Sequence, residues 1–187
     1  MKAFKTLAVA AAAWLGSAAA SGAILPAGTL ITGQISGANS TLLGLDHQFA
    51  DEPGSNTTAL AAADLEFLTA DALVAIDFFA DGRVQVWNNS GATGLAGSYT
   101  LTFSLAGLGQ PITGFTPLDL TGVNGGTVSV QLLDPHSVSL TLNDLSFTTE
   151  FGSFTTQLAV SAVPEPTSLA LLGAGLGLLA LRRRAAA

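Results

Sequence analysis

AIDFFADGRVQVW, residues 75–87, is the strongest hairpin pattern in the sequence. Polar and apolar residues alternate around Asp81-Gly82, a dipeptide typical of tight β-turns. A two-residue loop at Asp81-Gly82 would pair Phe79 with Val84, and both faces of the hairpin would then mix polar and apolar side chains. The length of the loop therefore decides whether the hairpin has a face that can join a core.

A three-residue loop, Ala80–Gly82, separates the two kinds of side chain. With Gly82 in the left-handed conformation, Phe78 pairs with Val84 and Ile76 pairs with Val86, which gives one apolar face. We therefore predict the three-residue loop. The opposite face then carries Asp77, Phe79, Arg83, Gln85 and Trp87.

This opposite face is the candidate ligand surface. An exposed Trp87 would stack on a sugar ring, while Asp77 and Gln85 would form hydrogen bonds with its hydroxyl groups. Arg83 and Phe79 complete the surface. The simpler interpretation is that a second sheet or a loop covers Trp87.

Further strands are predicted by the same alternation. TVSVQLL (127–133) and SVSLTL (137–142) form a hairpin around the turn DPHS (134–137), and YTLTFSL (99–105) is another strand. We expect SFTTEF (146–151) and SFTTQL (153–158) to form a last hairpin around Gly152.

These patterns predict one mainly-β domain over residues 24–162, a single antiparallel, jelly-roll-like β-sandwich with about eight to ten strands. One stretch, residues 56–73, remains ambiguous. Its alanine density favours a helix, whereas a strand over residues 63–67 competes with it.

The charge distribution excludes some partners. Between residues 24 and 161, Arg83 is the single basic residue against twelve acidic ones, a formal charge of −11. Such a domain repels phosphate groups, so we expect no nucleic-acid partner. The chain has no cysteine, which excludes disulfides, thiol catalysis and thiolate metal sites.

Catalytic patterns are sparse. The two histidines, His47 and His136, both stand beside acids. Asp46-His47 with Asp51-Glu52 is either half of a metal or acid–base site or, more simply, a solvated acidic loop. His136 fits the DPHS turn, and none of the common hydrolase or nucleotide-binding motifs occurs. We therefore expect no catalytic residue, no metal and no cofactor, and predict that the protein is not an enzyme.

The N-terminal 23 residues predict a secretory signal peptide. Two lysines precede an apolar run over residues 6–16, and SAAASGA (17–23) supplies the small residues that signal peptidase requires. Cleavage after Ala20 and cleavage after Ala23 both fit the pattern.

The C-terminal stretch VPEPTSLALLGAGLGLLALRRRAAA, residues 163–187, combines three features. Two prolines interrupt any helix at its start. Residues 169–181 contain only Leu, Ala and Gly, and as a helix they would span about 20 Å, which is short for a hydrocarbon core of about 30 Å. The positive-inside rule then keeps the membrane stop on the cytoplasmic side, a stop formed by Arg182, Arg183 and Arg184.

This order of features resembles the PEP-CTERM sorting signal of Gram-negative bacteria. The resemblance covers Val163–Arg184 and implies that the chain is a substrate of exosortase, a membrane enzyme. The family is associated with exopolysaccharide and biofilm. By the same resemblance, the recognition residues are Pro164, Glu165 and Pro166.

We therefore expect an exported protein with a non-catalytic structural or adhesive role. It would pass the inner membrane, remain transiently anchored by its C-terminal helix, and reach the cell surface or extracellular matrix. Expected partners are signal peptidase, exosortase and exopolysaccharide. A carbohydrate-binding module is the alternative, and a secreted hydrolase is the least supported reading.

Overall fold

The computed structural model describes residues 25–37, 41–61 and 64–161, which form eleven strands and a short 3₁₀ helix, Leu45–His47. The strands are β1 (Leu30–Gly37), β2 (Leu42–Gly44), β3 (Thr57–Ala59), β4 (Phe67–Thr69), β5 (Val74–Phe78), β6 (Arg83–Asn88), β7 (Gly94–Ser104), β8 (Ile112–Asp119), β9 (Val123–Asp134), β10 (Ser137–Phe147) and β11 (Ser153–Val160).

The strands form two sheets in which all described pairs are antiparallel. Sheet A has the order β3-β1-β7-β10-β9, and sheet B has the order β2-β4-β5-β6-β11-β8. The mainly-β, antiparallel architecture expected from the sequence is therefore confirmed.

The two sheets pack on each other through aromatic side chains. Phe103 of sheet A lies between Phe67 and Phe78 of sheet B, with ring centroids 5.6 Å and 5.0 Å away. All three rings are buried. Edge-to-face and tilted ring pairs add to the stabilisation from burying the rings, so this cluster is a central contact between the sheets.

The predicted hairpin of residues 75–87 is confirmed in its register. Phe78 pairs with Val84 and Ile76 with Val86, and these four side chains are buried. Gly82 has φ of +83°, the left-handed conformation that the three-residue loop requires.

Two other strand predictions are also confirmed. β9 and β10 pair around a turn at Pro135-His136. In β7 and just beyond it, Tyr99, Leu101, Phe103 and Leu105 are buried, as the alternation predicts.

The last predicted hairpin is wrong. β10 lies between β7 and β9 in sheet A, whereas β11 lies between β6 and β8 in sheet B. Residues 148–152 cross from one sheet to the other, because Phe147 and Phe154 are both buried in the core from opposite sheets. A Cβ atom at Gly152 would lie 2.7 Å from the Cβ of Phe147, so glycine allows the close approach at this crossing.

The sequence leaves residues 56–73 ambiguous between helix and strand, and the helical alternative is wrong over the described residues, 56–61 and 64–73. They contain β3 and β4 and no helix. Of the competing strand over 63–67, Phe67 begins β4, whereas the described residues 64–66 are not part of a strand. Pairing of β3 with β1 and of β4 with β5 overrides the helical preference of the alanines.

The predicted signal peptide (1–23), sorting motif, C-terminal helix and arginine stop lie outside the described residues. Across residues 25–37, 41–61 and 64–161, the chain contains no helix long and apolar enough to span a membrane.

Candidate functional site

The outward side of sheet B around β5, β6 and β11 gathers the residues of the candidate ligand surface. The register pairs Trp87 with Ser153 and Gln85 with Thr155, and directly paired residues project on the same side of a sheet. In the ladder between β5 and β6, Asp77 pairs with Gln85, so Asp77 projects on the same side of the sheet as Gln85. We call this surface the outer face, and its members are Asp77, Phe79, Arg83, Gln85, Trp87, Ser153, Thr155 and Gln157.

Trp87 is the exposed aromatic residue of the outer face. Its neighbours in the register are the small residues Ala75 and Ser153, which leave room beside the indole ring. The residue is 38% exposed, so Trp87 is partly covered by its neighbours and partly open to solvent.

Gln85 is held in place across the outer face. Its amide nitrogen donates a hydrogen bond to the Ser153 hydroxyl, with an N···O distance of 3.0 Å. Gln157 is held at the hairpin loop instead, because its amide nitrogen donates to the backbone carbonyl of Asp81 at 2.9 Å. Gln85, in the row next to Trp87, and Gln157, at the hairpin-loop end of the face, are therefore ordered before any ligand arrives.

Arg83 and Phe79 form the end of the outer face near the hairpin loop. The guanidinium carbon of Arg83 lies 4.5 Å from the centroid of the Phe79 ring, a cation–π contact. Arg83 Nε also lies 2.8 Å from a carboxylate oxygen of Asp81. The guanidinium group of Arg83 therefore interacts with Phe79 and Asp81 of its own hairpin.

Asp77 belongs to a carboxyl pair that sequence reasoning missed. Its partner is Glu66, which is 0% exposed and hydrogen-bonds to Asp77. Glu66 precedes β4, and the register of β4 with β5 places it opposite Asp77. The sequence offers one signal for Glu66, namely that this acid continues the alternating pattern of β4. That pattern does not show that Glu66 is buried.

The buried carboxylate of Glu66 accepts backbone hydrogen bonds. Phe78 N–H donates to it at 2.6 Å, and Ala61 N–H donates at 3.0 Å. Burial nevertheless raises the pKa of Glu66 to about 8, and burial also raises the pKa of Asp77. The two carboxyl groups therefore titrate as a pair that retains a proton near neutral pH.

The other predicted acidic group surrounds His47, on the 3₁₀ helix. His47 Nδ1 lies 2.6 Å from Glu52 Oε1, and Asp46 accepts a hydrogen bond from Ala59 N–H at 2.9 Å. Asp51 and Glu52 line an open cavity of about 400 Å³ next to β1. Within the described ranges, no group of three or more histidine and acidic side chains is placed to hold a metal ion.

His136 lies far from that group in the fold. The 3₁₀ helix packs beside β3, one edge strand of sheet A, whereas His136 follows β9, the other edge strand. His136 Nδ1 is buried, and no hydrogen-bond partner lies within the described part of the chain. The structure therefore does not bring the two histidines into one cleft.

The described residues define a mainly-β domain whose sheet B presents Trp87 on its outer face. Comparison with known families then gives the sorting class: residues 162–184 match the PEP-CTERM protein-sorting motif. The chain therefore carries a C-terminal signal of secreted proteins that are sorted to the cell surface, a signal associated with processing by exosortase. No curated protein and no solved structure matches the chain.

The matched segment contains the predicted recognition residues and the predicted membrane stop. The match does not explain the outer face, because it begins at residue 162 and includes none of residues 25–161. The function of the β domain must therefore be argued from its own surface.

Proposed function

We propose that the exported domain is a non-catalytic structural or adhesive component of the cell surface or extracellular matrix, and that it contacts exopolysaccharide. Processing would begin with removal of the signal peptide after Ala20 or Ala23. Residues 169–181 would then anchor the chain transiently, with the arginines in the cytoplasm, until exosortase acts at Pro164-Glu165-Pro166.

The observation that carries the polysaccharide contact is the exposure of Trp87 on the outer face. A sugar ring presents C–H groups on its faces and hydroxyl groups at its rim, so it suits an aromatic ring with hydrogen-bonding neighbours. Gln85 and Asp77 lie in the next row of the same sheet face. An open sheet face also accommodates a polymer that continues in both directions.

The test is retention of the full chain on exopolysaccharide isolated from the producing bacterium. We expect the wild-type chain to bind and the Trp87→Ala variant to bind about tenfold more weakly, since loss of a stacked aromatic ring removes roughly 1.4 kcal/mol. Trp87→Phe should retain part of the binding because it keeps an aromatic face.

Leu30→Ala is the matched control. Leu30 is an exposed apolar residue on sheet A, so its truncation removes surface apolar area without altering the outer face. Equal binding by the wild-type chain and Trp87→Ala would refute the role of the outer face. The length of the polysaccharide should stay unchanged during incubation, and progressive shortening would favour a secreted hydrolase instead.

A further inference from the structure

The outer edge of β9 differs from the other sheet edges of the described chain. β2 and β3 are edge strands of three residues each, and β8 carries Pro117 and Asp119. Short length, proline and charge are features that prevent an edge strand from pairing with another chain. β9 has twelve residues, no proline, and no charged residue before Asp134.

The middle of β9 is a regular strand with one side unpaired. Thr127–Leu132 pairs with β10 without a register shift, and the β-bulges lie outside this segment. No described strand forms a ladder with the other side of β9, although β8 of sheet B lies close to it and the Ile112 N–H donates to the Pro135 carbonyl just beyond β9. Alternate backbone N–H and C=O groups there can accept a further strand.

The side chains of β9 define what that further strand must offer. Val128 and Val130 face the core and are only half-buried, and Leu132 on the same side is 36% exposed. Ser129 and Gln131 point to the opposite side and are exposed and uncharged. A fitting strand has apolar residues on the core side and uncharged polar residues on the other.

We propose that this strand is β9 of a second copy of the same chain, paired antiparallel about a two-fold axis near Val130. This operation keeps the core side of both copies on one side of the joined sheet. It places Val128 of each copy beside Leu132 of the other, and Ser129 beside Gln131. The two five-stranded sheets then form one continuous sheet, and the apolar residues at each edge become covered.

Charge favours this edge over any other for two copies of an acidic domain. The region from residue 24 to residue 161 has a formal charge of −11, so most of its surfaces repel a second copy. Residues 127–133, the centre of the paired segment, carry no charge. With the axis at Val130, Asp134 faces Gly126 of the second copy rather than another acid.

Site-specific cross-linking tests the contact, because the chain has no cysteine of its own. Ser129→Cys and Gln131→Cys would be introduced singly into the full chain, and producing cells would be treated with a short bis-maleimide. Thr113→Cys, at an exposed position of β8, is the control. We expect at least about fivefold more cross-linked dimer at the β9 positions, because residues on neighbouring strands lie within about 8 Å.

A pair of charge variants tests the antiparallel self-pairing. Ser129→Lys combined with Gln131→Lys places like charges opposite each other, and should weaken dimerisation about tenfold or more. Ser129→Lys combined with Gln131→Glu places opposite charges together and should restore the dimer. The dimer fraction of the full chain in detergent would be measured by light scattering after size exclusion, with circular dichroism to verify folding.

Three results would overturn the proposal. One is a wild-type chain that stays monomeric, which would leave β9 to a different partner or to another segment of the chain. Another is cross-linking at Thr113→Cys equal to that at the β9 positions, as expected if only the C-terminal tails associate. The third is equal dimerisation of the two folded charge variants.

Discussion

Glu66 is an acid enclosed by the protein and bound to two backbone N–H groups. Because its carboxyl group also contacts Asp77, two negative charges would meet there at high pH. The fold tolerates this arrangement while a proton is retained. The pair is therefore a point where pH acts on stability.

We expect the free energy of unfolding to fall as pH rises from about 4.5 to about 8. The pKa of Glu66 is raised in the folded state, so the folded state binds more protons than the unfolded state across this interval, and each pH unit then lowers stability. Urea denaturation of the chain at several pH values would measure the slope.

Glu66→Gln should flatten that slope, because the titrating group is removed. Glu150→Gln, at an exposed position on the crossing between the sheets, is the control and should leave the slope unchanged. A wild-type stability that rises steadily from pH 5 to pH 8 would contradict the raised pKa.

The carboxyl pair also marks a limit of sequence reasoning at this scale. Hairpin alternation predicts that Asp77 lies on the outward side, and its pairing with Gln85 places it there. Glu66 was missed because its burial depends on β4 pairing with β5, in a stretch where alanines made helix and strand equally plausible. The identity of an acidic residue in the sequence does not show whether other parts of the chain bury it.

At the scale of elements, the loop of the β5–β6 hairpin rests on one glycine. Gly82 has φ of +83°, where a side chain is strained. Gly82→Ala should therefore lower the free energy of unfolding by about 1–2 kcal/mol. Thermal or urea denaturation would measure the loss.

Gly94→Ala is the matched control for this change. Gly94 is the first residue of β7, its added Cβ would meet no atom within 4 Å, and its φ is outside the left-handed range. We expect a change well below that of Gly82→Ala. Equal losses would show that the conformation of Gly82 is not what the loop requires.

The hairpins illustrate why some pairings could be predicted and one could not. Residues 75–87 carry both strands and their turn within one short segment, so the apolar face fixes the register. SFTTEF and SFTTQL are as close in sequence, yet β10 and β11 belong to different sheets. Local alternation identifies a strand and its buried side, but the choice of neighbour depends on residues far along the chain.

At the scale of the whole molecule, a folded β domain is joined to a sorting signal. The last described strand ends at Val160, and the matched motif begins at residue 162. The sequence identified the signal because its features stand in a fixed order within a short segment. The role of the domain could not be read in this way, since the outer face is assembled from β5, β6 and β11.

Replacing Pro164-Glu165-Pro166 with alanines should prevent processing and change the location of the protein. Proline disfavours a helix and would leave the peptide bonds accessible to a processing enzyme, whereas alanine favours a helix. Fractionation of producing cells and immunoblotting would follow the full-length and processed forms. Pro53→Ala, at an exposed position of the domain, controls for loss of a proline; unchanged processing of the triple variant would contradict the assignment.

The position of β11 has a mechanical consequence. β11 is the last strand before the sorting signal, and it is hydrogen-bonded to β6 on one side and to β8 on the other. A pull on the C-terminal end of the domain therefore enters the fold through an interior strand. Extracting that strand requires two ladders to fail together, and it also withdraws Phe154 and Leu158 from the core. A tether at the proposed C-terminal anchor would thus load an interior strand, so tension would spread into the sheet rather than peel its edge.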